Sequence, residues 1–411
     1  MRIRVLVLIA LVLVPHAAWP QGNPVGPEFR INTFTTNSQY VPATAAAAGG
    51  DFVVVWQSVL QDGSLTGVFG QRYASSGVPL GPEYRVNTFV TGYQRRAAVA
   101  ADASGDFVVV WTSLTQDGSM EGVFGQRYAS PGAPQGPEFR VNTYTTSDQT
   151  VPAVASDSSG NFVAVWLSYG QDGSNQGVYG QRYASTGVPL GPEFRVNTYT
   201  TASQRNPSVA SDSVGNFVVF WEDQQFGSYT DIRGQRYAST GAPLGSEFRV
   251  NALTNARYGP AVASDGAGDF VVVWRGPGGG AIYGQRFSST GASLGPEFRV
   301  DTYANGLLID PVAASDAVGN FIIVWPSYAE DGSQYGIFGQ RFASSGNPLG
   351  PEFRVNTFTT GQQQNPAVTA DSSGNFVVVW NSGLQDGSYG GVFGQRFSPI
   401  LPVELMHFRV E

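Results

Sequence analysis

The chain has no cysteine and almost no histidine. Because none of its 411 residues is cysteine, neither disulfides nor thiolate metal sites stabilise the fold, and stability must come from packing. The two histidines are His16, in an apolar N-terminal segment, and His407, close to the last residue. Histidine-dependent nucleophile systems and histidine metal sites are therefore excluded, and any catalysis must use carboxylates, tyrosines and arginines.

Positive charge is also scarce. Lysine is absent, so all 23 basic residues are arginine, and 31 acidic residues give a formal net charge of −8. A nucleic-acid partner requires a basic footprint, and none is expected here. Hydrophobic residues make up 42% of the chain and aromatic residues 13%, which is ample material for a packed core.

The N-terminus carries the pattern of a secretory signal peptide. Two arginines within residues 1–4 precede an apolar run, residues 5–14, and the small residues Ala17 and Ala18 follow. The run is about half the roughly 20 residues that a membrane-spanning helix needs. We therefore predict a signal peptide over residues 1–20, a secreted or periplasmic protein, and no membrane span.

Seven tandem repeats occupy the rest of the chain. Their period of 51–55 residues is marked by tryptophans at Trp56, Trp111, Trp166, Trp221, Trp274, Trp325 and Trp380. A Gly-Gln-Arg triplet repeats with nearly the same period, from Gly70 to Gly394. Internal repeats of this length indicate a solenoid, a propeller or an array.

Each repeat contains four short β-type segments. In the third repeat these begin at Pro152, Asn161, Gly177 and Pro192, are rich in Val, Phe, Tyr and Trp, and are separated by turn residues. A β-solenoid coil would not need two hairpins per turn. The sequence therefore predicts an all-β, seven-bladed β-propeller of four-stranded antiparallel blades over residues 27–411.

Two segments compete for the outer place in one blade. The "EFRVN" motif begins at Glu28 and recurs in every repeat, and a degenerate copy, "HFRVE", ends at Glu411. We expect the N-terminal copy to close the ring, because it keeps the full motif.

The repeat "DGSxxGVFGQRYxxxGxPLGPEFRVNT", preceded by "ASDSSGNFVVVW", resembles repeats of large exported bacterial surface proteins, often found beside calcium-binding or adhesive modules. The resemblance extends from about Pro27 to Glu411. It implies export and a propeller-like scaffold, and it carries over no catalytic residue.

Recurring acids have a structural and a functional interpretation. One set lies in Asp-Gly-Ser segments: Asp62, Asp117, Asp172, Asp331 and Asp386. Asp-Gly favours a turn, while a flexible glycine-bearing loop with carboxylate oxygens is also typical of calcium sites. Because each loop offers only one or two carboxylates, we expect turns first and keep calcium as a possible cofactor.

Charged residues that differ between repeats are more informative about a binding site than residues that recur in every repeat. Nearly all fall in the loops between second and third strands and in the loops leading to the next repeat, which emerge on one face. They are Arg95, Arg96, Arg205, Glu222, Asp223, Asp231, Arg233, Arg257 and Arg275. We predict a ligand face centred on repeats four and five; neutral drift of surface loops is the alternative.

These patterns favour a binding or scaffold module over an enzyme. A lectin-like or adhesive role leads, with a glycan or protein ligand outside the cytoplasm and a monomeric state. The alternative is a carboxylate-based polysaccharide hydrolase or lyase, which would need two acids facing one pocket about 5–10 Å apart. The arginines of the Gly-Gln-Arg triplets are expected to be paired or to cap a carbonyl.

Overall fold

The computed structural model of the protein describes residues 24–224, 230–252, 258–303 and 307–399. The signal peptide predicted over residues 1–20, the C-terminal "HFRVE" and Arg257 lie outside these ranges. The described residues form seven four-stranded antiparallel sheets, which confirms the predicted propeller. In the described part of the chain, no helix is long and apolar enough to cross a membrane.

The first two strands of each blade are long. The first strands of blades I to VII are β2 (Gln39–Ala46), β6 (Gln94–Ala101), β10 (Gln149–Ser156), β14 (Gln204–Ser211), β18 (Tyr258–Ser264), β22 (Val312–Ser315) and β26 (Gln363–Ala370). The second strands are β3 (Phe52–Val59), β7 (Phe107–Leu114), β11 (Phe162–Tyr169), β15 (Phe217–Asp223), β19 (Phe270–Arg275), β23 (Phe321–Tyr328) and β27 (Phe376–Ser382).

The third strands are similar and the fourth are very short. The third strands are β4 (Thr66–Tyr73), β8 (Glu121–Tyr128), β12 (Gln176–Tyr183), β16 (Asp231–Tyr237), β20 (Ile282–Phe287), β24 (Tyr335–Phe342) and β28 (Gly391–Phe397). The fourth strands are β5 (Tyr84–Arg85), β9 (Phe139–Arg140), β13 (Phe194–Arg195), β17 (Phe248–Arg249), β21 (Phe298–Arg299) and β25 (Phe353–Arg354), with β1 (Phe29–Arg30) in blade VII. One turn of 3₁₀ helix, Pro277–Gly279, follows β19.

The blades pack face to face in a closed ring. First strands of successive blades lie side by side around the axis, and β26 contacts β2 to complete the circle. Each second strand is buried on both faces, so its apolar residues need not alternate with polar ones. Trp111, with 0% exposure, packs against Val53 and Val55 of the preceding blade. The tryptophans therefore hold blades together and form no exposed platform.

The fourth strand is shorter than the sequence indicates. In blade III only Phe194 and Arg195 pair regularly with β12. Beyond them the Val178 amide donates to Asn197 Oδ1, at 2.7 Å, in place of a backbone carbonyl. The asparagine side chain thus ends the ladder and turns the chain toward the next blade.

The ring is closed by the N-terminal copy of the outer strand, as predicted. Strand β1 pairs antiparallel with β28, with Phe29 opposite Gly394. The backbone amide of Ile31 donates to the Val392 carbonyl at 2.8 Å, and Ile31 is 2% exposed. Residues from the two ends of the chain therefore complete blade VII together.

The Gly-Gln-Arg arginines connect neighbouring blades. Arg182 of blade III donates to the carbonyls of Thr240 and Ser239, both at 2.5 Å, in the turn after the third strand of blade IV. Arg286 contacts the corresponding turn of blade VI in the same way. A β-carbon at Gly241 of that turn would lie 2.6 Å from Arg182 Nη1, so the turn glycine makes room for the guanidinium.

The glutamate of the outer strand makes a second inter-blade connection. Glu83 of blade I accepts hydrogen bonds from the amide and hydroxyl of Thr33, at 2.6 and 2.8 Å. Gln61 of blade I donates to its other oxygen. The pattern closes around the ring, since Glu28, the residue before β1, accepts from the amide and hydroxyl of Thr357 at 2.7 and 2.8 Å. Most of the repeated motif therefore serves the scaffold.

Removing one inter-blade arginine should destabilise the ring. Arg127 of β8 donates to the Ser185 carbonyl of the next blade and to Gln135. We expect Arg127→Ala to lower the free energy of unfolding by about 1–2 kcal/mol, because the exposed Ser185 carbonyl and the half-buried Gln135 carbonyl both lose a charged donor. Arg140→Ala, in the same blade but on an exposed outer strand, is the matched control. Equal melting temperatures for the two variants would contradict this role.

Candidate functional site

A ring of distorted residues surrounds one end of the axis. Near the start of the first strand, six blades contain a β-bulge whose leading residue has φ between 49° and 58°: Val41, Arg96, Val151, Asn206, Gly259 and Asn365. Asp310 holds the same position in blade VI. Bulges redirect side chains, and left-handed backbone in non-glycine residues is costly and is found at functional sites. We call this end of the ring the mouth.

Blade IV contributes a buried carboxylate to the mouth. Glu222, which follows Trp221 at the end of β15, is 1% exposed. It accepts hydrogen bonds from Arg205 Nε, Asn206 Nδ2 and the Gly259 amide, each at 2.8 Å. The carboxylate therefore joins blade IV to blade V and fixes the first strands of both.

Blades V and VI add a second, open carboxylate. The Asp310 side chain is 46% exposed and pairs with Arg275 Nε at 3.1 Å. It lies over Gly259, where a β-carbon would collide with it. Arg275 also stands 5.2 Å from the ring centre of Tyr258. Desolvation raises the pKa of Asp310; Arg275 opposes the shift and Glu222 adds to it.

Two carboxylates therefore flank Gly259. Glu222 binds its amide, and Asp310 covers its α-carbon. Around them stand Arg205, Arg275, Asn206 and the aromatic face of Tyr258. We call these seven residues the mouth cluster.

A second polar group lies on blades II and III. Arg95 pairs with Glu121 and stands 5.8 Å from the Tyr93 ring centre. Burial, and then the charge of Glu121, raises the pKa of the nearby Asp148. Arg96 is exposed, and its Nη1 lies 3.5 Å from Thr150 Oγ1. Both arginines predicted from the sequence therefore reach the mouth, on a different side of the ring.

Three other predicted ligand residues lie inside blade IV. Asp223 and Asp231 are 2% and 8% exposed. Arg233 pairs with Asp223 at 2.8 Å and with Glu247 at 3.2 Å. In blade I the equivalent glutamate is held by Gln61, so the arginine substitutes for a glutamine of the regular repeat.

The Asp-Gly-Ser aspartates form turns. Asp62 Oδ1 accepts from the Ser64 amide at 3.1 Å, and the other four repeat this bond at 3.0 Å. The second oxygen of Asp62 packs against the α-carbon of Gly67. Among the described residues, no group of three or more acids or histidines could hold a metal ion, and calcium binding stays a prediction.

Four of the seven mouth-cluster residues were not predicted from the sequence. Asp310, Tyr258, Asn206 and Gly259 had no motif to identify them. The available signal was the residue before the proline near the start of each repeat except the second. It is valine in blades I and III but Asn206, Gly259, Asp310 and Asn365 in blades IV to VII.

The chain matches no protein-family model and no curated protein sequence. Its fold is similar to that of the polysaccharide lyase Uly1, with 10% identity and a TM-score of 0.55 over 92% of this chain and 91% of that chain. A protein of unknown function from Dyadobacter fermentans is 10% identical, with a TM-score of 0.52 over 92% of this chain and all of that one.

The β-propeller domain of the Trilobed protease from Pyrococcus furiosus is also similar. It is 7% identical, with a TM-score of 0.51 over 92% of this chain and 100% of that chain. At such identities the similarity shows the fold alone. The chain is thus a seven-bladed β-propeller with tandem blade repeats, and its resemblance to exported surface proteins remains a prediction.

Proposed function

We propose that the protein is a lectin-like binding propeller that acts outside the cytoplasm and holds a glycan at the mouth, over blades IV to VI. One observation carries the proposal. Departures from a regular seven-fold repeat in three different blades converge on one connected cluster, in which Glu222 contacts residues of blades IV and V and Asp310 lies over blade V. Neutral drift of surface loops would not be expected to bring the altered residues of three blades into contact with one another.

The chemistry of the cluster suits a hydroxylated ligand. Asp310 and Arg275 place an acceptor and donors side by side, with 46% and 28% of their side chains exposed. Tyr258 adds an aromatic surface next to them. Sugars are bound by such combinations of fixed polar groups and aromatic faces. Calcium held by the Asp-Gly-Ser turns, export by the N-terminal segment and a monomeric state belong to the same proposal.

A glycan-array screen with a double variant tests the mouth. We expect the native protein to bind, and Arg275→Ala with Asp310→Ala to weaken binding at least about 10-fold, since the variant removes about two charged hydrogen-bond partners. Asn365→Ala with Asn381→Ala alters residues at the corresponding strand positions within blade VII, where the two are joined by a 2.7 Å hydrogen bond, and should change binding less than 2-fold.

Loss of binding in both double variants, or in neither, would contradict the mouth site. The screen should be run with calcium and with chelator, because binding that survives chelation would remove calcium from the proposal.

The alternative function, polysaccharide cleavage, is favoured by one feature. Asp310 and Glu222 flank the same glycine, and the pKa of Asp310 is raised, as expected for a general acid. Release of reducing ends or of unsaturated sugars from a bound polysaccharide would support cleavage. Asp310→Asn should then abolish the release while binding persists.

A further inference from the structure

The face opposite the mouth carries repeated polar grooves between neighbouring blades. Four of them, which we call the inter-blade grooves, lie at successive interfaces from I/II to IV/V. Their cavity volumes are about 450, 520, 290 and 550 Å³ in that order. Sites for small ligands typically measure about 300–1,000 Å³.

The grooves share one set of lining groups. Each has the Gly-Gln-Arg arginine of the first blade, a serine from the turn after the third strand of the second blade, and a phenylalanine from each blade. The arginines are Arg72, Arg127, Arg182 and Arg236, and the serines are Ser130, Ser185, Ser239 and Ser289. Because the lining repeats, the same ligand chemistry suits all four grooves.

The groove between blades II and III shows which polar and aromatic groups a ligand could contact. Phe107 and Phe162, both buried, are among the residues that line it. The Ser185 backbone is already used, with its amide donating to Asn161 Oδ1 at 3.1 Å and its carbonyl accepting from Arg127. The exposed Ser185 hydroxyl is left at the rim, beside the exposed Thr186.

The charged groups that line this groove are one guanidinium, Arg127, and two carboxylates, Asp102 and Asp106. Burial lowers the pKa of Arg127, and the nearby Asp106 acts in the opposite direction. Asp106 itself accepts from the Ser130 amide at 2.7 Å and from Gln135 at 2.9 Å. Since the whole chain carries a net charge of −8, an anionic polymer would be repelled at long range. The lining therefore favours a neutral ligand rich in hydroxyls.

We propose that the four inter-blade grooves each bind one unit of a neutral saccharide, so that the protein is multivalent on the face opposite the mouth. The grooves are separate from the mouth cluster and do not depend on it. Weak individual sites presented side by side gain avidity for a repeating polymer. Repetition of the sequence would then provide several equivalent binding sites in addition to the propeller scaffold.

The interface between blades V and VI has the repeated lining groups but too little space for a saccharide. It has the equivalent Arg286 and Ser344, but its cavity is about 40 Å³. That space is far smaller than the roughly 300–1,000 Å³ of typical small-ligand sites. We therefore expect no saccharide there, which provides an internal control.

Native mass spectrometry with the neutral disaccharides cellobiose, maltose and lactose tests the proposal. We expect at least four molecules of one of them to bind per chain. Ser185→Trp should fill the II/III groove and reduce that number by one, and Thr186→Trp should do the same if the first variant does not fold. Ser344→Trp, in the narrow groove, should leave the number unchanged.

Binding of none or only one molecule of every disaccharide would overturn the proposal, as would a number unaffected by both II/III variants. The Arg275→Ala, Asp310→Ala double variant should remove at most one molecule. A negative result for saccharide binding in the grooves is therefore distinguishable from a negative result for glycan binding at the mouth.

Discussion

Removal of residues 24–34 is expected to lower the melting temperature by about 10 °C or more. The deletion takes away strand β1, the buried Ile31 and the Glu28 connection to Thr357. Loss of a buried isoleucine alone costs about 2–5 kcal/mol, and each charged hydrogen bond about 1.5–3 kcal/mol. Blade VII would also expose the edge of β28, which invites association between chains.

Thermal unfolding followed by tryptophan fluorescence measures the effect. Ile31→Ala should reproduce part of the loss, whereas Arg30→Ala, on the exposed side of the same strand, should have little effect. An unchanged melting temperature after the deletion would mean that β1 does not hold the ring closed.

A glutamate that replaces a glutamine should make blade VI sensitive to pH. In blades I to III a glutamine side chain donates to the outer-strand glutamate, as Gln61 does to Glu83. In blade VI, Glu330 is in this position and faces Glu352. Glu330 Oε2 and Glu352 Oε1 are buried, and no donor among the described residues reaches either. One proton must therefore be shared by the pair.

The pKa of Glu330 shows that the ionised form of this side chain is destabilised in the folded protein. Burial raises it to about 8; the nearby Ser327 side chain opposes the shift, and Glu352 and Asp301 add to it. Because the folded-state pKa exceeds the unfolded value of about 4.3, the folded state binds more protons between these two values. Stability is therefore greatest below about pH 4 and falls as pH rises toward about 8, by less than the full value of about 1.4 kcal/mol per pH unit because solvent screens the partly exposed Glu330.

Glu330→Gln should restore the regular hydrogen bond and remove this pH dependence. We expect the variant to be more stable than the native protein by roughly 2–4 kcal/mol at pH 8–9 and nearly equal to it at pH 4–5. Gln61→Glu, which creates the same pair in blade I, should show the reverse pattern. Melting curves across this pH range provide the test, and a Glu330→Gln effect that is the same at both ends of the range would disprove the shared proton.

The sequence was sufficient to predict the scaffold because scaffold contacts repeat. Seven tryptophans and seven arginine triplets reveal the blade number, and the intact motif at Glu28 identifies the closing strand. The role of Arg182 followed from its place in a central strand, where a charged group needs a partner.

The candidate sites depend on features that no repeat displays. Asp310 of blade VI meets Gly259 at the bulge that begins strand β18, and a one-residue insertion leaves no trace in the hydrophobic pattern. Asp223 and Arg233 appeared as loop charges, yet they pair inside blade IV. The inter-blade grooves arise only when two blades meet, so a single repeat cannot reveal them.

The most direct test of the mouth site is the crystal structure of the protein soaked with an oligosaccharide that binds on the array. Ligand density is expected at the mouth, in contact with Arg275 and Asp310 and next to Tyr258. Clear density for the oligosaccharide elsewhere, with the mouth cluster unchanged and free of ligand, would contradict the claim that departures from the repeat mark the binding site.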